Sequence, residues 1–305
     1  MNRRHFLLGI AAATATARHA FALPSAETGA EIPLWHGTPP GGGGPTGTRI
    51  VSASGALRNI ATPGLRLMPS PFPNGRAVLI AAGGGYRQIQ LGKEALPAAK
   101  WLNARGYTAY ILIYRLPGEG WHDGSRVALQ DAQRALRIIR QREQRVSVLG
   151  FSAGGHLMGM AATRPDFRTY AAQDERDSLS ARPDGAALIY PIVTLERPYS
   201  HTSTHHILIG RGATVAEEAA WSVQNAVTAD TPPCFLVQAG DDPLSDPHNS
   251  QLMYAACKTH HVPVEMYRYP TGGHGFGMGK AGTQTLFWPG RYEYWLRILA
   301  SMGGS

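Results

Sequence analysis

The serine at position 152 stands in a pattern that could make it a nucleophile. It lies in Gly150-Phe151-Ser152-Ala153-Gly154, between a strand-like run and a helix-like run. A sharp strand-to-helix turn needs glycines two residues either side of the serine, because larger side chains would clash there. Such a turn points the hydroxyl outward over the next helix N-terminus, where backbone N–H groups favour developing negative charge. The pattern therefore predicts that Ser152 attacks a carbonyl carbon, with ester cleavage as the expected chemistry.

Histidine 274 is the candidate base for that serine. A serine hydroxyl needs a base to remove its proton, and the base needs a carboxylate to orient it. Where the serine stands on this type of turn, the three residues follow one another along the chain in the order serine, acid, histidine. His274 follows a strand-like run at residues 264–269 and stands between Gly273 and Gly275. It is therefore expected in a loop at the carboxyl end of a strand, where parallel sheets keep their sites. We predict His274 as the base, against the alternative of a solvated loop histidine.

Three aspartates are candidates for the orienting acid. Asp241, Asp242 and Asp246 all follow the strand-like run at residues 235–240. One of them could merely cap the turn. Asp242 is favoured because Asp-Pro-Leu fixes a turn immediately after it. Asp241 and Asp246 stay open as alternatives.

A glycine-rich turn supplies candidate donors for the oxyanion of a tetrahedral intermediate. One donor is expected from the residue after the nucleophile, Ala153, and the others from a loop near the first long strand. Gly83, Gly84 and Gly85 end the strand-like run at residues 76–82. Residues without side chains let backbone N–H groups approach a substrate. A purely structural triple-glycine turn would explain the glycines but not their placement after this strand.

Apolar runs alternate with amphipathic segments along the chain. Strand-like runs occupy residues 76–82, 107–114, 146–150, 186–193, 235–239 and 264–269, and helix-like segments occupy 96–104 and 128–139. Fully apolar strands that alternate with helices predict an α/β fold, a mainly parallel sheet with helices on both faces. Residues 199–215 break the alternation and predict a small lid. Tyr86 and Trp121 are expected to help the lid shape an acyl pocket.

The first residues resemble an export signal. Arg3 and Arg4 precede a short apolar stretch, as in twin-arginine signals. A membrane-spanning helix is the rival interpretation, but Arg18 and His19 interrupt a stretch that would need about 20 apolar residues. We therefore predict a periplasmic or secreted protein. The expected segments are a twin-arginine-type signal peptide at residues 1–22, an extended lead-in at 23–48 and a single domain at 49–305.

Composition excludes several classes of partner. The 305 residues carry a net charge of +8, and loss of residues 1–22, which hold three arginines and no acid, would leave +5. No run of basic residues supports nucleic-acid binding. Neither a phosphate-binding loop nor a dinucleotide fingerprint occurs, so no cofactor is expected.

Two smaller groups of residues have alternative interpretations. His201, His205 and His206 could bind a metal ion, with His201 and His205 on one helix face. The segment is rich in Ser and Thr, is expected to be poorly helical and has no carboxylate close by, so no metal site is predicted. Cys234 and Cys257 are expected to be buried free thiols rather than a disulfide.

Together these motifs resemble the bacterial acetyl-esterase and carbohydrate-esterase branch of the α/β-hydrolase superfamily. The resemblance is carried by Pro33-Leu34-Trp35, Gly83-Gly84-Gly85-Tyr86, Tyr114-Arg115-Leu116, Asp131-Ala132-Gln133-Arg134-Ala135, residues 150–157 and residues 272–277. It implies the α/β-hydrolase fold and a small ester or acylated carbohydrate as substrate. It also implies a triad of Ser152, Asp242 and His274 and an oxyanion hole formed by Gly83, Gly84 and Ala153.

The sequence departs from that branch in two places. Ala82 replaces the usual His or Pro before the three glycines, so the support of the oxyanion loop is unexplained. Ser245-Asp246 follows the acid where the branch usually continues towards Val-Pro, which keeps Asp246 open. A peptidase or a lipase of the same fold would use the same triad and remains the main alternative.

Overall fold

The computed structural model describes residues 31–301, so the predicted signal at residues 1–22 lies outside the described residues. The strands are β1 Glu31–Pro33, β2 Ile50–Val51, β3 Leu57–Arg58, β4 Gly64–Met68, β5 Arg76–Ala81, β6 Thr108–Ile113, β7 Arg145–Phe151, β8 Ala186–Ile189, β9 Cys234–Ala239 and β10 Val264–Tyr269. The α-helices are α1 Leu96–Asn103, α2 Val127–Arg140, α3 Ala153–Thr163, α4 Ser203–Leu208, α5 Val215–Ala220, α6 His248–Thr259 and α7 Trp288–Ser301. A π-helical turn covers Leu91–Ala95, and 3₁₀ helices cover Gly124–Arg126, Glu175–Ser178, Val223–Ala226 and Gln284–Phe287.

One large sheet organises the molecule. Its strand order is β1-β4-β6-β5-β7-β8-β9-β10, and the six strands from β6 to β10 in this order are parallel. Every residue of β8 and β9 is buried, and so is all of β5, β6 and β7 except the first residue of each. Because successive side chains of a strand point to opposite faces, helices and loops must cover both faces. The predicted parallel α/β architecture is confirmed.

The sheet topology fixes where a site should lie. The chain passes from β5 to β6 on one side and then to β7 on the other side of β5. In such sheets ligands bind outside the carboxyl ends of the strands where the direction of winding reverses. The glycines after β5 and Ser152 after β7 therefore meet at this point.

The described part of the predicted lead-in packs into the fold instead of extending away from it. Strand β1 pairs antiparallel with β4 at the edge of the sheet. The Trp35 indole N–H donates to Asp131 Oδ1 at 2.7 Å, and Arg115 Nη2 lies 2.9 Å from the same oxygen in a fully buried ion pair. A buried carboxylate needs such donors, and the lead-in supplies one of them. The motif residues Arg115 and Asp131 thus join the lead-in to the core.

The two cysteines, Cys234 in β9 and Cys257 in α6, are both buried and free, as predicted. Within residues 31–301 no helix is long and apolar enough to cross a membrane.

Candidate active site

The turn between β7 and α3 has the geometry that the glycine pattern predicts. Ser152 has a φ of +52°, a backbone conformation that side chains rarely adopt. A Cβ on Gly150 would lie 2.4 Å from the Gly154 carbonyl oxygen, and one on Gly154 would lie 2.2 Å from that of Ala81. Only glycine fits at either position, so these two residues allow the strained turn that presents Ser152.

Ser152, His274 and Asp242 form one hydrogen-bonded series. The Ser152 Oγ lies 2.8 Å from His274 Nε2. His274 Nδ1 lies 2.8 Å from Asp242 Oδ2 and 3.1 Å from its Oδ1. A carboxylate can only accept, so Nδ1 carries the proton and Nε2 is left to accept from the serine hydroxyl. This is the arrangement in which a histidine can remove the serine proton.

The other two aspartates have different partners. Asp241 Oδ1 accepts from the Gly273 N–H at 2.8 Å, and Asp246 Oδ1 lies 2.8 Å from His248 Nδ1. Asp242 is buried, and its Oδ1 also accepts from the N–H groups of Leu244 and Ser245, both at 2.9 Å. These bonds fix the carboxylate in position against His274. The geometry favours Asp242 over both alternatives.

The loop after β5 requires one correction to the predicted oxyanion hole. The Gly83 N–H donates to Glu94 Oε2 at 2.6 Å and is therefore not free to meet a substrate. The N–H groups of Gly84, Gly85 and Ala153 make no hydrogen bond within residues 31–301. Gly84 and Gly85 line the cavity beside Ser152, whereas Gly83 does not. Gly85 therefore replaces Gly83 among the candidate donors, because Glu94 occupies the Gly83 N–H.

Buried hydrogen bonds support the oxyanion loop in place of the usual His or Pro before the glycines. The Tyr114 hydroxyl donates to the Ala82 carbonyl oxygen at 2.8 Å. The Tyr86 hydroxyl lies 3.0 Å from His156 Nδ1, and His156 Nε2 lies 2.8 Å from the Trp221 carbonyl oxygen. Burial lowers the pKa of His156 to about 4, so the ring is neutral, with Nε2 donating and Nδ1 accepting. These bonds tie the loop to β6 and α3.

A cavity of about 440 Å³ opens beside Ser152. Most side chains in its wall are polar, and the apolar exceptions are Ile192 and Leu244. The polar side chains are Gln88, Gln90, Lys93, Glu94, Ser152, His201, Thr202, Ser203, Thr204 and His274. Tyr86 and Trp121 do not line it, contrary to expectation. Tyr86 contacts His156, and Trp121 packs with the Arg115 guanidinium carbon 4.9 Å from its ring centroid.

The predicted lid lies at this cavity and contains a helix, although the segment was expected to be poorly helical. Thr202 explains the difference: its side chain accepts from the His205 N–H and so caps α4. His205 is buried with its Nε2 3.3 Å from Glu218 Oε1, whereas His201 is exposed. Among residues 31–301 no group of three or more His, Cys, Asp or Glu side chains could hold a metal ion.

The parallel sheet and the position of the site at its carboxyl edge are those of an α/β hydrolase. The sequence pattern of the α/β-hydrolase fold family matches residues 83–278, and this chain belongs to that family. The match begins at the oxyanion loop and ends just after His274.

Two relatives and one solved structure are similar to this chain over most of its length. The chain is 29% identical over 218 residues to an acetylxylan esterase of Xylanibacter ruminicola, covering 68% of this chain and 42% of that protein. It is 32% identical over 205 residues to the endo-1,4-beta-xylanase B of Butyrivibrio fibrisolvens, covering 65% of this chain and 32% of that protein. The chain thus spans less than half the length of these curated relatives. The crystal structure of an acetyl ester-xyloside bifunctional hydrolase from Caldicellulosiruptor lactoaceticus superposes with a TM-score of 0.74, at 29% identity, over 89% of this chain and 97% of that one.

Sequence reasoning missed Glu94 and Tyr190. Glu94 lies in the π-helical turn before α1, and Tyr190 follows β8. Their hydroxyl–carboxylate hydrogen bond of 3.0 Å joins residues 96 positions apart. Glu94 lies two residues before the helix-like segment at residues 96–104, and no local signal distinguishes it from a surface glutamate.

Proposed function

We propose that this protein is a serine esterase that releases short acyl groups, of acetyl size, from carbohydrate. The observation that carries the proposal is the series Ser152–His274–Asp242 beside a cavity lined mostly by polar residues, with N–H groups on Gly84, Gly85 and Ala153 that make no hydrogen bond within residues 31–301. Members of this fold family that hold such a series cleave acyl bonds through a serine nucleophile.

The geometry gives each group a role. Ser152 Oγ attacks the ester carbonyl carbon while His274 Nε2 accepts its proton, and Asp242 stabilises the imidazolium that forms. The negative charge on the former carbonyl oxygen is bound by the N–H groups of Ala153 and the oxyanion loop. The imidazolium then gives its proton to the leaving alcohol oxygen. Water repeats the sequence on the acyl-enzyme, releasing the acid and restoring Ser152.

The proposed substrate rests on the cavity wall and the relatives. Hydroxyl, amide and ammonium groups in the wall suit an alcohol that itself carries hydroxyl groups. One relative is named an acetylxylan esterase and one solved structure is named an acetyl ester-xyloside bifunctional hydrolase, at 29% identity each. Both observations support acetylated polysaccharide.

A panel of p-nitrophenyl esters from acetate to octanoate tests the acyl group. In an apolar pocket each added methylene would contribute about 0.8 kcal/mol to binding. Ile192 and Leu244 are the only apolar side chains among the described residues that line this cavity, so we expect kcat/KM to be highest for acetate or propionate and to fall with chain length. The protein should also release acetate from acetylated xylan.

Two outcomes of that panel would change the proposal. A preference for octanoate over acetate would indicate a lipase-like acyl pocket and refute the carbohydrate esterase, while leaving the catalytic series intact. Cleavage of p-nitroanilides faster than esters would indicate a peptidase.

A glycoside hydrolase is the second candidate, because one relative is named a xylanase and one solved structure an acetyl ester-xyloside bifunctional hydrolase. Most glycosidases need two carboxyl groups flanking the scissile bond. Among the described residues that line the cavity, Glu94 is the only carboxylic side chain, and both of its oxygens already accept hydrogen bonds. The site therefore favours ester cleavage.

We also propose export by the twin-arginine route, which rests on Arg3 and Arg4 ahead of the apolar stretch. Replacing both with lysine should leave the precursor in the cytoplasm with residues 1–22 attached. N-terminal sequencing of the fractions measures this. In a strain that lacks twin-arginine transport, mature protein that begins at Leu23 and lies outside the cytoplasmic membrane would refute export by this route.

A further inference from the structure

Two loops of the candidate active site meet through one buried carboxylate, that of Glu94. Its Oε2 accepts from the Gly83 N–H of the oxyanion loop at 2.6 Å, and its Oε1 accepts from the Tyr190 hydroxyl at 3.0 Å. The Tyr190 oxygen in turn accepts from the Gly277 N–H at 3.0 Å, three residues after His274. A continuous series of hydrogen bonds thus joins the oxyanion loop, which contains Gly83, to the histidine loop, which contains His274 and Gly277.

Tyr190 also contacts the base directly. Its ring packs edge-on against His274 with ring centroids 5.1 Å apart, and against Phe276 at 4.4 Å. It follows β8 with a φ of +39°, which is uncommon for a residue with a side chain. The strained backbone therefore places the ring and hydroxyl where they reach both Glu94 and the histidine loop.

The surroundings of Glu94 indicate more than space filling. The side chain is only 4% exposed, and burial raises the pKa of its carboxyl group, while the Gly83 and Tyr190 hydrogen bonds oppose that rise. A buried carboxylate is costly unless its oxygens are hydrogen-bonded, and here the donors are a backbone N–H and a phenol rather than Lys or Arg. An apolar residue would fill the same space at less cost.

The Gly83 hydrogen bond determines how the oxyanion loop faces the nucleophile. A Cβ on Gly83 would lie 2.7 Å from the Ser152 Cβ, so the loop packs directly against the nucleophile. The Gly83 N–H faces Glu94, and the next two residues, Gly84 and Gly85, line the cavity with N–H groups that make no hydrogen bond within residues 31–301.

We propose that Glu94 is a positioning residue that fixes the Gly84 and Gly85 N–H groups relative to Ser152 and, through Tyr190, holds the His274 loop. The inference rests on the proposed esterase function, since it assigns Glu94 a part in that reaction. Loss of the carboxylate should weaken binding of the oxyanion more than binding of the substrate.

Two substitutions test the role at different severity. Removing one oxyanion donor typically costs about 10²–10³ in kcat, and Glu94→Ala, which releases the loop carrying two of them, is expected to lower kcat about 10²-fold. Glu94→Gln keeps an oxygen for the Gly83 N–H, but its amide N–H₂ faces Tyr190 and leaves that hydroxyl without an acceptor. It is expected to lower kcat about tenfold. KM for p-nitrophenyl acetate should change less than about threefold in both.

The distinguishing readout is inhibition by a methyl trifluoromethyl ketone. Its adduct with Ser152 carries an oxyanion at the same donors, so Ki should rise by the factor by which kcat/KM falls. Glu143→Gln is the matched control, because burial also raises the pKa of Glu143 and it accepts from the Tyr110 hydroxyl at 3.1 Å. Glu143 precedes β7, at the end of the strand opposite the site. This variant should keep wild-type kcat and Ki.

Parallel losses of kcat and ketone affinity in folded Glu94→Gln, with the control unchanged, would establish the role. A folded Glu94→Gln protein with wild-type kcat and Ki, or with lower kcat but unchanged Ki, would overturn it. If Glu94→Ala fails to fold, Glu94→Gln decides alone. Wild-type protein that cleaves no ester would instead refute the esterase function, so the two failures are distinguishable.

Discussion

Ser152→Ala is expected to lower kcat/KM for p-nitrophenyl acetate by a factor on the order of 10⁴ or more, because nucleophile and base act as one unit. The fold should survive, since the Ser152 Oγ makes one hydrogen bond within residues 31–301, the one to His274. The backbone N–H of Ser152 donates to the Ile189 carbonyl oxygen at 3.0 Å, and alanine keeps that bond. Steady-state kinetics together with a thermal melt measure both quantities.

Ser147→Ala is the matched control for this experiment. Ser147 is also buried and lies on β7, five residues before the nucleophile. The control variant should retain wild-type kcat/KM within a few fold, because Ser147 is remote from the cavity. Near-wild-type turnover by a folded Ser152→Ala protein would refute the mechanism as a whole.

Asp242→Asn is expected to lower kcat by about 10³–10⁴, because it leaves His274 in the wrong tautomer. Two backbone N–H groups, of Leu244 and Ser245, donate to Oδ1 and will hold the amide oxygen there. The amide N–H₂ then takes the place of Oδ2, 2.8 Å from His274 Nδ1. Facing a donor, Nδ1 must accept, so the proton moves to Nε2, which can no longer accept one from Ser152. The kcat of the two proteins across pH measures the effect.

Asp241→Asn is the neighbouring control. Asp241 accepts from the Gly273 N–H at 2.8 Å, and an amide oxygen can replace that bond. The kcat of Asp241→Asn should therefore fall by less than about tenfold. If Asp241→Asn costs more than Asp242→Asn, the acid assignment moves one residue upstream, while the roles of Ser152 and His274 remain.

The sequence predicts those parts of the fold whose signals are local. Strands β5 to β9 are mostly apolar runs because both faces of the sheet are covered there, and the turn that presents Ser152 is visible because two glycines must flank the serine at fixed spacing. Strands β1 and β4 are not predicted from the sequence. β1 has three residues and lies at the sheet edge, where one side is unpaired and the side chains are partly exposed.

The details of the site that depend on distant contacts could not be predicted. Three consecutive glycines look equivalent in the sequence, and which of their N–H groups is free depends on Glu94, eleven residues after Gly83. The sequence favours Asp242 through the turn that follows it, but both Asp241 and Asp242 contact the loop that carries His274, and only the structure shows which carboxylate meets the imidazole. Tyr190, 96 positions from Glu94, completes the contact.

Covalent labelling identifies the nucleophile directly, and we expect the label on Ser152. Wild-type protein treated with a fluorophosphonate should gain one adduct mass per chain, and peptide mapping should place it on Ser152. Ser152→Ala should gain none under the same conditions. Absence of an adduct on active wild-type protein, or an adduct mapped to another residue, would show that Ser152 is not the nucleophile.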